Sequence, residues 1–210
     1  MTTDQAAPDP LRDVVAVMDR LRQGCRWNAE QTHATLVPYL IEEAHEVAEA
    51  VDHDDRDNLR EELGDLLLQV LFHARIAQEH PTDPWDIDDV AAALSEKLIR
   101  RNPHVFGDAV ADDIDAIHRQ WEERKQAEKA RGSVFEGIPL GLSALARAQK
   151  VTARAARNGI AAPLPTDDSL GSRLLALVAE AHATGLDAEG ELRRAARAWE
   201  DRLSAAESAG

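Results

Sequence analysis

Two pairs of acidic residues constrain this chain more than any other feature. Glu43-x-x-Glu46 and Glu62-Leu63-Gly64-Asp65 each carry the three-residue step that puts two carboxylates on one helical face, one turn apart. Fifteen residues separate the pairs, and in the middle of that interval lies a break at Asp52-His53-Asp54-Asp55. A chain that turns there folds the second helix back on the first and brings four carboxylates to one point. Such a cluster repels itself unless it holds a cation or takes up protons. The expected unit is therefore an antiparallel helical hairpin built around a cation.

The rest of the sequence reads as helix. Ala, Leu, Glu and Arg dominate, aromatic residues make up only 4%, and β-branched runs are scarce. The fold class expected is all-α. Residues 1–10 are polar and expected to fray. An amphipathic helix follows from Leu11 to Arg22, with Leu11, Val14, Val15, Met18 and Leu21 on one stripe. Gly24 should end it, and Cys25-Arg26-Trp27-Asn28 reads as a loop. Pro38 suits the first turn of a helix running to Val51, with Leu40, Ala44, Val47 and Val51 facing inward. The next helix, Asp57 to about Gln78, turns Leu59, Leu63, Leu66, Leu67, Val70 and Ala74 inward. Gly64 sits inside that helix, where glycine often marks close approach of a backbone or ligand. After a turn at Pro81 to Pro84, a helix capped by Asp86 or Asp88 reaches Arg101, with Val90, Leu94 and Leu98 apolar and Asn102-Pro103 as its stop. Further helices are expected from Asp112 or Asp113 to Arg131, from Leu142 to Arg157, from Leu170 to Thr184 and from Glu189 to about Ala206.

A weak internal repeat sets the domain organisation. Leu63-Gly64-Asp65-Leu66-Leu67-Leu68 resembles Leu170-Gly171-Ser172-Arg173-Leu174-Leu175, and the stretch ending in Arg101 resembles the one ending in Arg202. Asp65 becomes Ser172 and Lys97 becomes Ala198, and no Glu-x-x-Glu helix precedes the second copy. The reading is one acid-bearing module over residues 11–131 and a degenerate helical copy over residues 142–206 that lacks the acidic site.

A formal charge of −15 argues against a nucleic-acid backbone or an anionic membrane surface as the partner. No apolar run approaches the roughly 20 residues that span a bilayer, and the N-terminal residues do not read as a signal peptide. A cytoplasmic protein is expected. The single cysteine, Cys25, leaves no partner for an intramolecular disulfide, and no P-loop or dinucleotide-binding glycine pattern occurs.

Carboxylates alone suit Mg²⁺, Mn²⁺ or Ca²⁺ rather than zinc, and Mg²⁺ commonly completes its shell with substrate phosphates. Lys97, Arg100 and Arg101 form the main basic cluster. Lys97 and Arg101, four apart, share a helical face and either grip phosphates or complement the helix dipole. Trp121 reads either as a base-stacking surface or as a packing anchor. Trp27, Trp85 and Trp199 read as packing residues, and His33, His45, His73 and His104, without ligand spacing, as structural or surface groups.

Taken together, Cys25-Arg26-Trp27 with Glu30-Gln31-Thr32, then Glu42-Glu43-x-x-Glu46, Glu61-Glu62-Leu63-Gly64-Asp65-Leu66-Leu67 and Lys97-x-x-Arg100-Arg101-x-Pro103-His104-Val105-Phe106 resemble the MazG nucleoside triphosphate pyrophosphohydrolases. The resemblance runs from Leu11 to Gly159. It implies a four-helix-bundle-like, Mg²⁺-dependent enzyme, active as a homodimer or higher homo-oligomer, that cuts an NTP or dNTP into a nucleoside monophosphate and pyrophosphate. By position, Glu43, Glu46, Glu62 and Asp65 would be the metal ligands, Lys97 and Arg101 the phosphate-binding pair with Arg100 beside them, and Trp121 a nucleotide contact. Glu42 or one of the ligands would be the base. Family members often carry Cys-Pro-Trp-Asp-Lys where this chain has Cys25-Arg26-Trp27-Asn28-Ala29, so one lysine is missing. Two other readings compete: a nucleotide-binding regulatory dimer with little turnover, and a narrower all-α pyrophosphatase of the dUTP or dCTP type.

Overall fold

In a computed structural model, the structure describes residues 9–107, 132–209 and, between these, 113, 114, 116, 117, 120, 121, 124 and 128. All regular structure among them is helical: α1 (Pro10–Gly24), α2 (Arg26–Glu30), α3 (His33–Asp52), α4 (Arg56–Ala77), α5 (Ile87–Arg101), α6 (Pro103–Phe106), α7 (Ala144–Arg157), α8 (Leu170–Ala183) and α9 (Ala188–Ala209). The expected helix from Asp112 or Asp113 to Arg131 lies largely outside the described residues. Of its described members, Ile114, Ala116, Ile117, Gln120, Trp121, Arg124 and Glu128 are helical. The expected fraying of residues 1–10 also falls mainly outside them. The chain divides into two compact units at Arg100 and Arg101.

In the first unit, α3 and α4 form the hairpin that the acidic pairs demanded. Helix α3 ends at Asp52. Asp54 then takes the left-handed conformation, φ 53°, which a short polar side chain tolerates, and Asp55 caps α4 by accepting from the Asn58 N–H at 3.0 Å. Helix α1 packs across α4, and Met18, Leu36, Leu71 and Phe72 form the core, flanked by Val14, Val15, Ile76 and Ile87.

Two local expectations fail for identifiable reasons. Residues 26–30 are a short helix rather than a loop, because Arg22 donates to the Asn28 and Gln31 carbonyls and supplies donors that so short a helix lacks. Pro38 lies inside α3 rather than in its first turn. Thr32 and Thr35 form a reciprocal capping box that starts the helix at His33, and this start outweighs the one backbone bond that Pro38 forgoes.

The Arg22 side chain is only 9% exposed and joins three elements. Besides its carbonyl contacts it donates to both Glu79 carboxylate oxygens, at 2.9 and 2.7 Å, just beyond the end of α4. Arg75 donates to the same Glu79 at 2.9 Å and to Asp19 of α1 at 2.8 Å, closing a clasp between α1 and α4.

The apolar stripes are only partly covered. Leu63 is 49% exposed, Leu67 37%, Val70 39% and Val51 59%, although these positions were expected to face inward. Every residue of α5 from Ala91 to Arg100 is exposed, including Leu94 and Leu98. A Cβ built on Gly64 meets nothing within 4 Å, so no neighbour among the described residues requires a glycine there.

In the second unit, α7 and α8 pack together and α9 lies against both, with Val178 fully buried. Arg154, 4% exposed, donates to the Val134 and Glu136 carbonyls at 2.8 Å each and fixes the turn before α7. Ser172, the counterpart of Asp65 in the repeat, is the third residue of its helix and bonds to Asp167 and Ser169, whereas Asp65 lies in mid-helix.

The clasp generates a prediction. Arg22→Met leaves the Asn28 and Gln31 carbonyls without this donor and Glu79 with Arg75 alone, and should destabilise the fold by about 2 kcal/mol in urea unfolding. Arg22 holds the Glu79 carboxyl below its ordinary range. A depressed carboxyl contributes stability above its unfolded value of about 4.3, and that contribution is lost as pH falls. The variant's stability should therefore fall less steeply with acid than the wild type's.

Candidate active site

The carboxylates converge across the α3–α4 seam. One oxygen from each of Glu43, Glu62 and Asp65 lies within 4.8 Å of the other two, and all three residues are half-buried. Glu46, one turn beyond Glu43, adds its negative charge against both Glu43 and Glu62. Loss of solvent pushes the Glu43 carboxyl above its ordinary value, and Asp65, Glu46 and Glu62 push it further. Glu62 is raised in the same way, first by desolvation, then by the charges of Glu46, Asp65 and Glu61.

This donor set fits a hard divalent cation. Adjacent ligands on one face of an octahedral Mg²⁺ shell stand about 3.0 Å apart, given bonds of about 2.1 Å, so the three oxygens would draw together around a bound ion to form such a face. The oxygens are all carboxylate, which disfavours zinc and copper. Glu42, next to Glu43, is exposed and outside the trio.

The basic residues are distributed differently. Lys97 is exposed on α5, and Arg100 beside it is exposed as well. Arg101, the last residue of α5, is only 8% exposed. Its guanidinium makes a two-pronged contact with Glu128, Nε at 3.1 Å and Nη2 at 2.5 Å, and stands 5.1 Å from the centre of the Trp121 ring. Trp121 is half-buried under that guanidinium. Arg101 and Trp121, two of the residues expected to meet a nucleotide, are thus engaged with each other, and Arg101 with Glu128 as well.

The seam also holds groups that spacing did not reveal. His33 of α3 and His73 of α4 stack with ring centres 5.0 Å apart and their Nδ1 atoms 2.7 Å apart. Burial, followed by the charge of His33, lowers the His73 value. Forty residues separate the two in sequence, so only the hairpin register pairs them. Of the tryptophans assigned to packing, Trp27 stands edge-on to Tyr39 and Phe72, each at 6.3 Å, while Trp199 is 64% exposed.

Residues 31–106 match the family model of the MazG nucleotide pyrophosphohydrolase domain, a stretch that contains all four carboxylates and Lys97. The chain is 50% identical over 199 residues to an uncharacterized 26.1 kDa protein in the blaB 3′ region of Streptomyces cacaoi, covering 94% of this chain and 82% of that protein. It is 45% identical over 213 residues to the nucleoside triphosphate pyrophosphohydrolase of Mycolicibacterium smegmatis, covering 97% of this chain and 63% of that enzyme. It is 36% identical over 220 residues to the nucleoside triphosphate pyrophosphohydrolase/pyrophosphatase MazG of Thermotoga maritima, covering 92% of this chain and 84% of that protein. The chain belongs to the MazG family. It spans less than two thirds of the mycobacterial relative's length.

The crowding of the carboxylates has a thermodynamic signature. An acid with a raised folded value contributes stability below its unfolded value of about 4.3, and that contribution is lost as pH rises through the folded value. Glu62→Gln should therefore raise the thermal midpoint of the metal-free protein at pH 7 and leave it unchanged near pH 4. Differential scanning calorimetry of both proteins with chelator present checks this.

Proposed function

We propose that this chain is a divalent-cation-dependent nucleoside triphosphate pyrophosphohydrolase, converting an NTP or dNTP and water to a nucleoside monophosphate and pyrophosphate. The observation that carries the reading is the carboxylate trio, within 4.8 Å on a helical hairpin inside the stretch that matches the family. Relatives that are nucleoside triphosphate pyrophosphohydrolases by name support it.

Glu43, Glu46, Glu62 and Asp65 would hold the cation, for which Mg²⁺ is the expected occupant and Mn²⁺ a substitute. The bound cation supplies charge neutralisation and acidifies water at the site. Water adds to a phosphorus, the bridging P–O bond between the α and β phosphates breaks, and the water's proton passes to a carboxylate. Glu42, exposed beside Glu43, is one such acceptor, and the ligands themselves are the others. Lys97 and Arg100 offer exposed cations for the phosphate chain. Arg101 serves in the same role by exchanging Glu128 for a phosphate, a substitution of one two-pronged anion for another, and this frees a face of Trp121 for a nucleobase. A cytoplasmic enzyme that trims the nucleotide pool is the setting that suits this chemistry.

A homodimer or higher homo-oligomer completes the reading. Leu63, Leu67 and Val70 make an exposed stripe at helical spacing on α4, and Leu94 and Leu98 another on α5. A second copy covering these stripes would convert the hairpin into a four-helix bundle. Leu67→Glu should then shift the protein toward monomer in light scattering at micromolar concentration.

The engagement of Arg101 by Glu128 favours one second reading, a nucleotide-binding regulatory dimer with little turnover. Product analysis across a panel of NTPs and dNTPs with Mg²⁺ separates the two and also detects narrow dUTP or dCTP preference. The enzyme releases pyrophosphate, whereas the binder shows thermal stabilisation alone. Glu43→Ala and Asp65→Ala should each lower pyrophosphate release by at least about 10²-fold, with the helical circular dichroism unchanged. Retained activity in both variants contradicts the site.

A further inference from the structure

Glu62, Asp65, Gln69 and His73 succeed one another at steps of three, four and four residues on α4, so they form one row along its face. The first two belong to the carboxylate cluster, and the last meets His33 across the seam. Gln69 lies between them. It is 5% exposed, one of the few buried polar residues of the first unit, and its Oε1 is buried without a hydrogen-bond partner. Leaving a buried carbonyl unsatisfied is unfavourable, so an orphan here calls for a donor.

The chain's own neighbours do not provide one. Side chains on a helix lean toward its N-terminus, which directs Gln69 back over the turn that carries Asp65 and Glu62. Ionised carboxylates only accept hydrogen bonds. His73, one turn farther on, could have donated through Nε2, but that atom is also buried and unpartnered, so the two do not satisfy each other. The turn toward which a side chain at this position leans thus carries acceptors, and Oε1 has no donor. The hydration shell of a divalent cation held by those acceptors is a source of donors in that place, since its waters present their protons outward.

We propose that Gln69 is a positioning residue of the cation site, accepting through Oε1 a hydrogen bond from the hydration shell of a divalent cation held by Glu43, Glu46, Glu62 and Asp65. The inference rests on the cation-site reading above and extends it by one turn of α4. Without the cation the buried carbonyl is a liability to the fold. With it, the same carbonyl fixes the orientation of the shell beneath the carboxylates. Partners of this outer kind typically alter metal affinity by about 10- to 100-fold.

The test is calorimetric titration of Mn²⁺ into the wild type, Gln69→Met and Gln69→Glu, with thermal midpoints measured in chelator. Gln69→Met keeps the length of the side chain and removes the acceptor. It should bind Mn²⁺ about 10- to 100-fold more weakly, while its metal-free midpoint equals or exceeds that of the wild type. Gln69→Glu keeps an acceptor oxygen and should bind Mn²⁺ at least as tightly as the wild type. Gln69→Met affinity within twofold of wild type overturns the inference and leaves the cation site standing. A lower metal-free midpoint in Gln69→Met also overturns it, because Oε1 would then be serving the apo fold through a buried water. Loss of tenfold or more in Gln69→Glu contradicts it through the second variant. If the wild type itself binds no Mn²⁺, the cation site falls and this inference falls with it.

Discussion

Like charges held at short range are the constraint on which the rest of the first unit depends. Glu43, Glu46, Glu62 and Asp65 repel one another across the α3–α4 seam, and desolvation raises the cost of ionising Glu43 and Glu62. A hairpin carrying that load needs stabilisation from elsewhere in the unit. It comes from the other end of α4, where Met18, Leu36, Leu71 and Phe72 form the core and where Arg22 and Arg75 clasp Glu79 and Asp19. The acids occupy the half of the seam nearest the turn, and the apolar core occupies the half farthest from it. This separation lets the charged half remain strained without unfolding the hairpin.

The same division organises function. The turn at Asp52–Asp55, with Asp54 in the left-handed region, sets the register that places Glu43 opposite Glu62 and Asp65, and His33 opposite His73. Between these two crossings lies Gln69, buried and short of a donor. Burial of polar groups along one seam is unfavourable for a metal-free protein. It becomes favourable when a cation and its hydration shell supply the charge and the protons that the chain lacks. Destabilisation of the empty site and affinity for a cation are two expressions of one arrangement.

Much of this was legible in the sequence, and the reasons are local. The three-residue steps of the acidic pairs, the Asp-rich break and the end of α7 at Arg157, just before Gly159 at φ 63°, are features that neighbouring residues decide among themselves. What was not legible depends on residues far apart. Arg22 organises α2 through backbone carbonyls, and Arg101 turns to Glu128, 27 positions away, instead of standing open on α5. The inward-facing stripe was misjudged for a different reason. Helical periodicity locates an apolar face, but it does not say whether this chain or a second copy covers it, and Leu63, Leu67 and Val70 remain exposed.

The central claim is that the α3–α4 seam is a cation site, and anomalous diffraction tests it most directly. Crystals of the wild-type protein equilibrated with Mn²⁺ should show a manganese peak between α3 and α4, with Glu43, Glu46, Glu62 and Asp65 around it. Strong anomalous density elsewhere on the molecule, with none at these four carboxylates, would contradict the account.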